Sequence, residues 1–136
     1  MTNSRNKGAA FEREIAKLIN EEFSLSIPLK RILEQTREKF LPDLILGRWY
    51  LECKRYGQGN EPVEKWWSQV LDSTKDKGLP ALIYKFNNRP IKVRVPLHTI
   101  NTNLEKNNNH TCDLSWSDFI FILKALYSED IESHQK

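Results

Sequence analysis

Three charged residues beside a short turn in the middle of the chain could hold a metal ion. Gly47-Arg48 suits a two-residue hairpin of type II′, which takes Gly at its first central position. In the register that this turn sets, Asp43 lies directly opposite Glu52, and the alternation of side chains puts Lys54 on the same face. Carboxylates that face each other at about 5 Å repel, so the pattern predicts a divalent cation bound by Asp43 and Glu52.

Each member of this group has a chemical role that metal-dependent hydrolysis could use. Mg²⁺ takes oxygen ligands, so the backbone carbonyl of Cys53 is a third expected ligand, and Mn²⁺ is expected to substitute. The Lys54 ammonium is expected to orient the attacking water or to stabilise developing charge. The simpler interpretation is a salt-bridged hairpin in which Lys54 neutralises Glu52, but it leaves Asp43 unexplained.

The charge of the chain is unevenly distributed. The net charge is +3, and residues 1–58 carry 11 Lys/Arg against 8 Asp/Glu, while residues 59–136 carry 10 of each. The excess lies in the half that holds the hairpin, where a phosphate backbone would meet little opposition. A solvated surface of mixed charge is an equally good interpretation of these residues. The candidate phosphate-binding residues are Arg5, Lys7, Arg13, Lys30, Arg31, Arg37, Lys39, Arg48 and Arg55.

Apolar periodicity and turn residues predict one α/β domain over residues 1–136. Helical spacing from Phe11 to Phe23 predicts a helix over 8–23, and a second apolar stripe after Asn60 predicts another that ends at Gly78. The hairpin is apolar on both faces, which predicts a central mixed sheet flanked by helices. The other expected elements, in the order αβββαββα, are a strand within 29–39, strands at 81–86 and 91–95, a loop at 97–113, a closing helix at 114–127 with a cap at Ser115, and a frayed tail at 128–136.

Other residues give weaker signals. His98, His110 and Cys112 match no zinc-ligand spacing. Trp66 and Trp67 could stack on bases, but their place in an apolar helical stripe favours core packing for at least one of them. Two cysteines without a disulfide pattern, no apolar run of about 18 residues, and a polar N-terminus predict a cytoplasmic protein without a membrane segment.

The motif Pro42-Asp43, followed by Glu52-Cys53-Lys54, resembles that of the PD-(D/E)XK nuclease superfamily. Within it, the stretch from Asn6 to Glu14 is similar to the first helix of the archaeal-type Holliday junction resolvases. The resemblance covers about residues 6–95 and implies a restriction-endonuclease-like core. It also implies a Mg²⁺-dependent endonuclease that cuts DNA, with branched DNA such as a four-way junction as the expected substrate, a homodimer as the expected assembly, and a part in DNA recombination or repair.

The same resemblance assigns roles to two further residues. It makes Glu12 a metal-binding glutamate and places Gln69 close to the active site. Glu12 could instead be a solvated helix charge, with Glu14 in its place, and Gln69 could be an edge-packing residue. Two other functions stay open: a nuclease that nicks or degrades linear, damaged or foreign DNA, and a non-catalytic DNA-binding module that retains the fold. The closing helix could be a dimer surface or a covering layer.

Overall fold

In the part of the chain that the structure describes, one mixed sheet of five strands carries helices on its faces. The computed structural model describes residues 4–32, 42–57 and 64–135, and the side chains of the first helix from Gly8 onward. Its elements in chain order are α1 (Ser4–Phe23), β1 (Leu44–Leu46), β2 (Trp49–Tyr56), α2 (Glu64–Thr74), β3 (Leu79–Phe86), β4 (Lys92–Pro96), a 3₁₀ turn (Leu97–Thr99), β5 (Thr111–Ser115), α3 (Trp116–Leu126) and α4 (Ser128–Ser133). The predicted α/β class, with a mixed sheet between helices, is confirmed.

The strands follow one another across the sheet in the order β1-β2-β3-β4-β5. β1 and β2 are antiparallel, β2 and β3 are parallel, and the two remaining pairs are antiparallel. The parallel pair needs a crossover, and α2 lies within the connection that makes it. This topology places β2, which carries Glu52 and Lys54, between the short edge strand β1 and the buried strand β3.

The central hairpin has the predicted register. Leu44 pairs with Leu51, Ile45 with Tyr50, and Leu46 with Trp49. Gly47 adopts a φ of +58°, which the first central position of a type II′ turn requires and which costs glycine little.

The two faces of β2 pack in different surroundings. Trp49, Leu51 and Cys53 point into the main core, together with α1, α3 and α4; we call this side the closed face. The alternate residues Glu52, Lys54 and Tyr56 pair with Leu82, Tyr84 and Phe86 of β3, which pack against the α2 residues Trp66, Trp67 and Val70. We call this second side the site face.

Three predicted elements need correction. Residues 29–32 form no strand, and the Ile32 amide makes a single backbone–backbone hydrogen bond, to the Asp43 carbonyl (3.0 Å). The rest of the strand predicted within 29–39 lies outside the described residues. The loop predicted at 97–113 is wrong at both ends, because it begins with a 3₁₀ turn and ends in β5. β5 pairs with β4, so β4 is not an outer strand. Because β5 contains few apolar residues, the apolar periodicity of the sequence did not predict it.

The tail predicted to fray at 128–136 instead begins with the helix α4. Ile131, an apolar residue among polar neighbours, is only 2% exposed in the main core. The Asp130 carboxylate accepts a hydrogen bond from the Arg48 amide (2.9 Å), which anchors α4 to the hairpin turn. The side chain of Gln135 also accepts hydrogen bonds from the Ile27 amide (2.7 Å) and the Ser26 hydroxyl (3.2 Å). One buried side chain and these long-range hydrogen bonds therefore order a segment whose polar composition predicts a solvent-exposed tail.

The predicted helix ends are partly confirmed. Ser115 caps α3, since its Oγ accepts from the Asp118 amide (3.0 Å). α2 ends at Thr74, before Gly78, and Leu79 and Pro80 already belong to β3; the predicted cap at Asn60 lies outside the described residues. Among the helices of the described ranges, none is long and apolar enough to span a bilayer.

Candidate active site

Asp43 and Glu52 lie side by side at the open end of the hairpin, where their carboxylates share a hydrogen bond. The Asp43 amide donates to the Leu51 carbonyl (3.1 Å), although Leu51 pairs with Leu44, so the regular β1–β2 ladder ends at that pair. The Cys53 amide donates in turn to Oδ2 of Asp43 (2.8 Å) and fixes that carboxylate, which is 7% exposed. Two backbone hydrogen bonds therefore hold Asp43 against the strand that carries Glu52.

The proximity of the two acids perturbs the protonation of Glu52. Burial, the negative charge of Asp43 and a hydrogen bond with that residue raise the pKa of Glu52 from 4.5 to about 8. Lys54 and Ser73 oppose the shift, and the Ser73 hydroxyl donates to Oε1 of Glu52 (3.2 Å). Without a cation, the pair therefore retains a proton at neutral pH.

The donor set fits a hard divalent cation. Two facing carboxylates supply oxygen atoms, and the Cys53 carbonyl lies between Glu52 and Lys54 on the same strand. A cation between the acids would take the place of the proton and remove their repulsion. In the described ranges, His, Cys, Asp and Glu side chains form no group of three or more that could hold a metal. The remaining coordination positions would then fall to backbone, water or phosphate, which is usual for Mg²⁺.

Lys54 and Cys53 point to opposite faces of β2. Lys54 pairs with Tyr84 on the site face, where its charge lowers the pKa of Glu52. Cys53 is buried on the closed face, and burial and the charges of Asp43, Glu12 and Glu52 raise the pKa of its thiol. The thiol therefore stays protonated and is a packing group.

The carboxylate of Glu12 is already paired with the side chain of Arg31. Glu12 is on α1, and its Oε1 accepts from the Arg31 guanidinium (3.2 Å), with only 14% of its side chain exposed. Its charge acts on Cys53, which places it beside β2, whereas Glu14 is exposed. Of the two glutamates that the sequence leaves open, Glu12 is the one whose charge reaches β2, but in the described residues it forms no metal-holding group with Asp43 and Glu52.

Gln69 is exposed on α2, the helix that packs against the site face. Trp66 stacks on Tyr56 and Ser73 binds Glu52, so α2 runs beside β2 in the opposite direction. Gln69 follows Trp66 by three residues and precedes Ser73 by four, so all three share one side of the helix. This order places Gln69 at the level of Lys54.

The basic residues fall into separate groups. Arg13, Lys30 and Arg31 line a groove of about 500 Å³ together with Lys17, which the sequence argument missed although it follows Arg13 at helical spacing. Arg48 lies at the hairpin turn, roughly 13 Å from Glu52 at ~3.3 Å per residue. Its guanidinium lies over the Tyr127 ring, 5.9 Å from the centroid.

Other predicted residues lie apart from the site or outside the described part of the chain. Arg55 follows Lys54, and its guanidinium donates to the Tyr56 carbonyl (2.8 Å). His98 contacts the Asn108 side chain (3.0 Å), and in the described ranges it belongs to no group of three or more side chains that could hold a metal. The side chains of Arg5 and Lys7 and the whole of Arg37 and Lys39 are outside what the structure describes.

A protein-family model described as "Phage putative PDDEXK endonuclease" matches residues 3–131. The chain belongs to this family of phage PD-(D/E)XK endonucleases. The match includes Asp43, Glu52 and Lys54 and extends to Ile131 of α4. It confirms the superfamily part of the resemblance, whereas the likeness to archaeal resolvases stays a prediction. No curated protein and no solved structure matches the chain.

Proposed function

We propose that this PD-(D/E)XK family member is a Mg²⁺-dependent endonuclease that hydrolyses DNA phosphodiester bonds. The observation that carries the proposal is the pair of facing carboxylates on the β1–β2 hairpin, with Lys54 on the same face. Ordinary hairpins avoid opposed like charges, and a raised pKa at a half-buried acid is a mark of functional sites.

Each residue of the site has a separate role in the proposed hydrolysis. Asp43, Glu52 and the Cys53 carbonyl would hold Mg²⁺, which supplies an activated water and neutralises charge on the phosphate. Lys54 donates a hydrogen bond to the attacking water or to a phosphate oxygen, which stabilises the charge that develops there. Gln69, at the level of Lys54, is placed to position the same phosphate or water. Glu12, which the resemblance makes a metal-binding glutamate, would support the metal from the α1 side.

The groove on α1 supports binding of the DNA backbone. Four basic side chains and one acidic side chain, that of Glu21, line the groove, and Ala16 and Leu29 form its apolar wall. Asn20 holds Leu29 through two hydrogen bonds, from the Leu29 amide (2.7 Å) and to its carbonyl (3.3 Å). These two hydrogen bonds fix the loop that borders the groove. Arg31, which lines the groove, contacts Glu12. Phosphates bound along it would approach the acid pair.

The resolvase-like α1 makes branched DNA the expected substrate and a two-fold dimer the expected assembly. Symmetric cutting of a four-way junction needs two related active sites. α3 buries Phe119, Ile120 and Leu123 in the main core and so covers the sheet, but Phe121 remains 67% exposed and is available to a second subunit. A linear-duplex nuclease would share the chemistry and differ only in substrate.

Cleavage of matched DNA substrates tests the proposal. Purified protein is incubated with a four-way junction, a flap and a linear duplex, in Mg²⁺, Mn²⁺ or EDTA. Asp43→Asn, which keeps an acceptor for the Cys53 amide, and Lys54→Met should each lower cleavage by about 10²–10³-fold or more. Lys106→Ala, at an exposed position of the loop after β4, is the matched control and should cut normally.

Each result has a defined meaning. Cutting in EDTA, or full activity of both site variants, would contradict the assignment of the acid pair and Lys54. Equal rates on junction and linear duplex would leave the nuclease standing and remove the preference for branched DNA. Sedimentation of the protein with and without junction DNA tests the dimer.

A further inference from the structure

One aromatic ring on the site face is open to solvent. Tyr56 is the last residue of β2 and is 48% exposed, whereas Trp66 and Trp67 are buried. It follows Lys54 by two residues and therefore shares its face, about 6.6 Å further along the strand at ~3.3 Å per residue.

Two buried rings hold Tyr56 in a fixed orientation. Its ring stacks on that of Trp66, with centroids 4.7 Å apart and an interplanar angle of 25°. Trp66 stacks in turn on Phe86, with centroids 5.9 Å apart and an angle of 28°. Trp66 stacks on one side of the Tyr56 ring, and about half of the residue remains exposed. A ring already fixed in place loses little entropy when a planar ligand stacks on it.

A cationic cleft lies beside this stack. Tyr84, Phe86 and Pro90 line a cleft of about 340 Å³, with Arg89 and Lys92 among its walls. Lys54 pairs with Tyr84, and Tyr84 pairs with Lys92, so Lys92 lies two strands from Lys54, about 10 Å away at ~4.8 Å per strand. Both cleft cations are exposed.

We propose that Tyr56 stacks on a nucleobase next to the phosphate that is cut, and that Arg89 and Lys92 bind the following phosphates of the same strand. The inference rests on the proposed function and names the form of DNA that the site takes. Neighbouring bases cover both faces of a base inside a duplex, so a protein ring reaches a base only where that stack is opened. The preferred substrate therefore carries an unpaired nucleotide beside the scissile bond, as at a flap, a single-stranded end or a branch point.

Binding without metal tests this inference separately from cleavage. Fluorescence anisotropy in EDTA compares a blunt duplex with the same duplex carrying a short unpaired strand. The wild-type protein should bind the second DNA more tightly, and Tyr56→Ala should lose about tenfold on that DNA while its affinity for blunt duplex stays the same. Tyr56→Phe should keep the preference, since it keeps the stacking face. Leu104→Ala removes an exposed apolar side chain in the loop after β4 (46% exposed) and should change neither affinity.

Two further measurements distinguish stacking from packing. A 2-aminopurine base at the unpaired position should be quenched on binding to the wild type and to Tyr56→Phe, and not on binding to Tyr56→Ala. Arg89→Ala with Lys92→Ala should reduce the salt dependence of binding by one to two phosphate contacts, at ~0.7 per contact for single strands. Lys124→Ala, on α3, should leave the salt dependence unchanged.

The failures of the two proposals can be told apart. If Tyr56→Ala binds and quenches like the wild type, or loses affinity equally for both DNAs, the stacking role is wrong. If in addition Lys54→Met still cuts DNA, the proposed catalytic site is wrong as well. A wild-type protein that cuts in Mg²⁺ yet binds blunt and unpaired DNA equally would overturn only the preference for unpaired nucleotides.

Discussion

The two faces of β2 differ in what they contact, although neighbouring residues of one strand supply both. On the closed face, Trp49 and Leu51 have no exposed surface and pack in the main core. On the site face, Glu52, Lys54 and Tyr56 carry charge or an open ring at a half-covered surface. Because the side-chain period of a strand is two, a slip of one residue would exchange these faces. The apolar face thus fixes the register that brings the acids together.

The closed face and the site face therefore contribute differently to the stability of the fold and to the proposed catalysis. The acid pair opposes folding when no cation is bound, because burial and the charge of Asp43 disfavour ionised Glu52. The closed face must offset that cost through burial of its large apolar side chains. Substitutions on the closed face should therefore act mainly on stability, and those on the site face mainly on binding and cleavage.

The largest expected effect is on the closed face. Leu51→Ala should lower the free energy of unfolding by about 2–5 kcal/mol, because it leaves a cavity in the main core. Ile45→Ala, in the same hairpin but 36% exposed, is the matched control and should cost less than about 1 kcal/mol. Urea denaturation with a constant m value measures both. Similar losses for the two variants would mean that the faces are not divided as described.

The hairpin turn should be the next most sensitive position. Gly47→Ala should cost about 1–3 kcal/mol, because alanine is strained at positive φ. Its Cβ would also lie 2.5 Å from the Asp130 carboxylate and 3.3 Å from the Ile131 backbone. Gly8→Ala meets nothing within 4 Å in α1 and should stabilise the protein by about 0.5–1 kcal/mol. An unaffected melting temperature in Gly47→Ala would contradict the docking of α4 on the turn.

The metal-free protein should lose stability on the site face as pH rises. The pKa of Glu52 is raised from 4.5 to about 8 in the fold, so the folded state binds the proton more tightly than the unfolded state. The stabilising effect of that proton is complete below about pH 4.5 and is lost as pH rises through about 8.

Asp43→Asn should therefore raise the metal-free melting temperature by a few degrees at pH 9 and less at pH 6. Mg²⁺ should raise the melting temperature of the wild type more at pH 9 than at pH 6, because it replaces the proton between the acids. Thermal melts of both proteins across this pH range, with and without Mg²⁺, give the comparison. Equal metal-induced shifts in wild type and variant would exclude the pair as the binding site.

The smallest expected effect concerns Ser73. Ser73→Ala removes a hydrogen bond that lowers the pKa of Glu52, so that pKa should rise by about half a unit to one unit in the metal-free protein. Carbon-13 NMR of the labelled glutamate carboxyls can follow this titration. Ser68→Ala, at an exposed position of α2, should leave it unchanged. A fall in the Glu52 pKa would show that Ser73 does not favour the ionised form.

Local signals predicted the hairpin well. Two residues fix a tight turn, and the period of two then sets each facing pair, so the register from Leu44 to Leu51 follows from spacing. The cap of α3 was also local, because Ser115 and Asp118 are three residues apart. β5 and α4 were missed, since neighbours distant in sequence order them.

The sequence by itself determined the hairpin, its facing acids, the class of fold and the superfamily motif, because each depends on residues close together in the chain. Only the tertiary structure decided that Arg31 binds Glu12, that Ser73 contacts Glu52, and that Ile131 completes the core. It also decided that Trp66 is buried while Tyr56 keeps an open ring face. These contacts join elements that are distant in sequence, and their geometry depends on how the helices pack on the sheet.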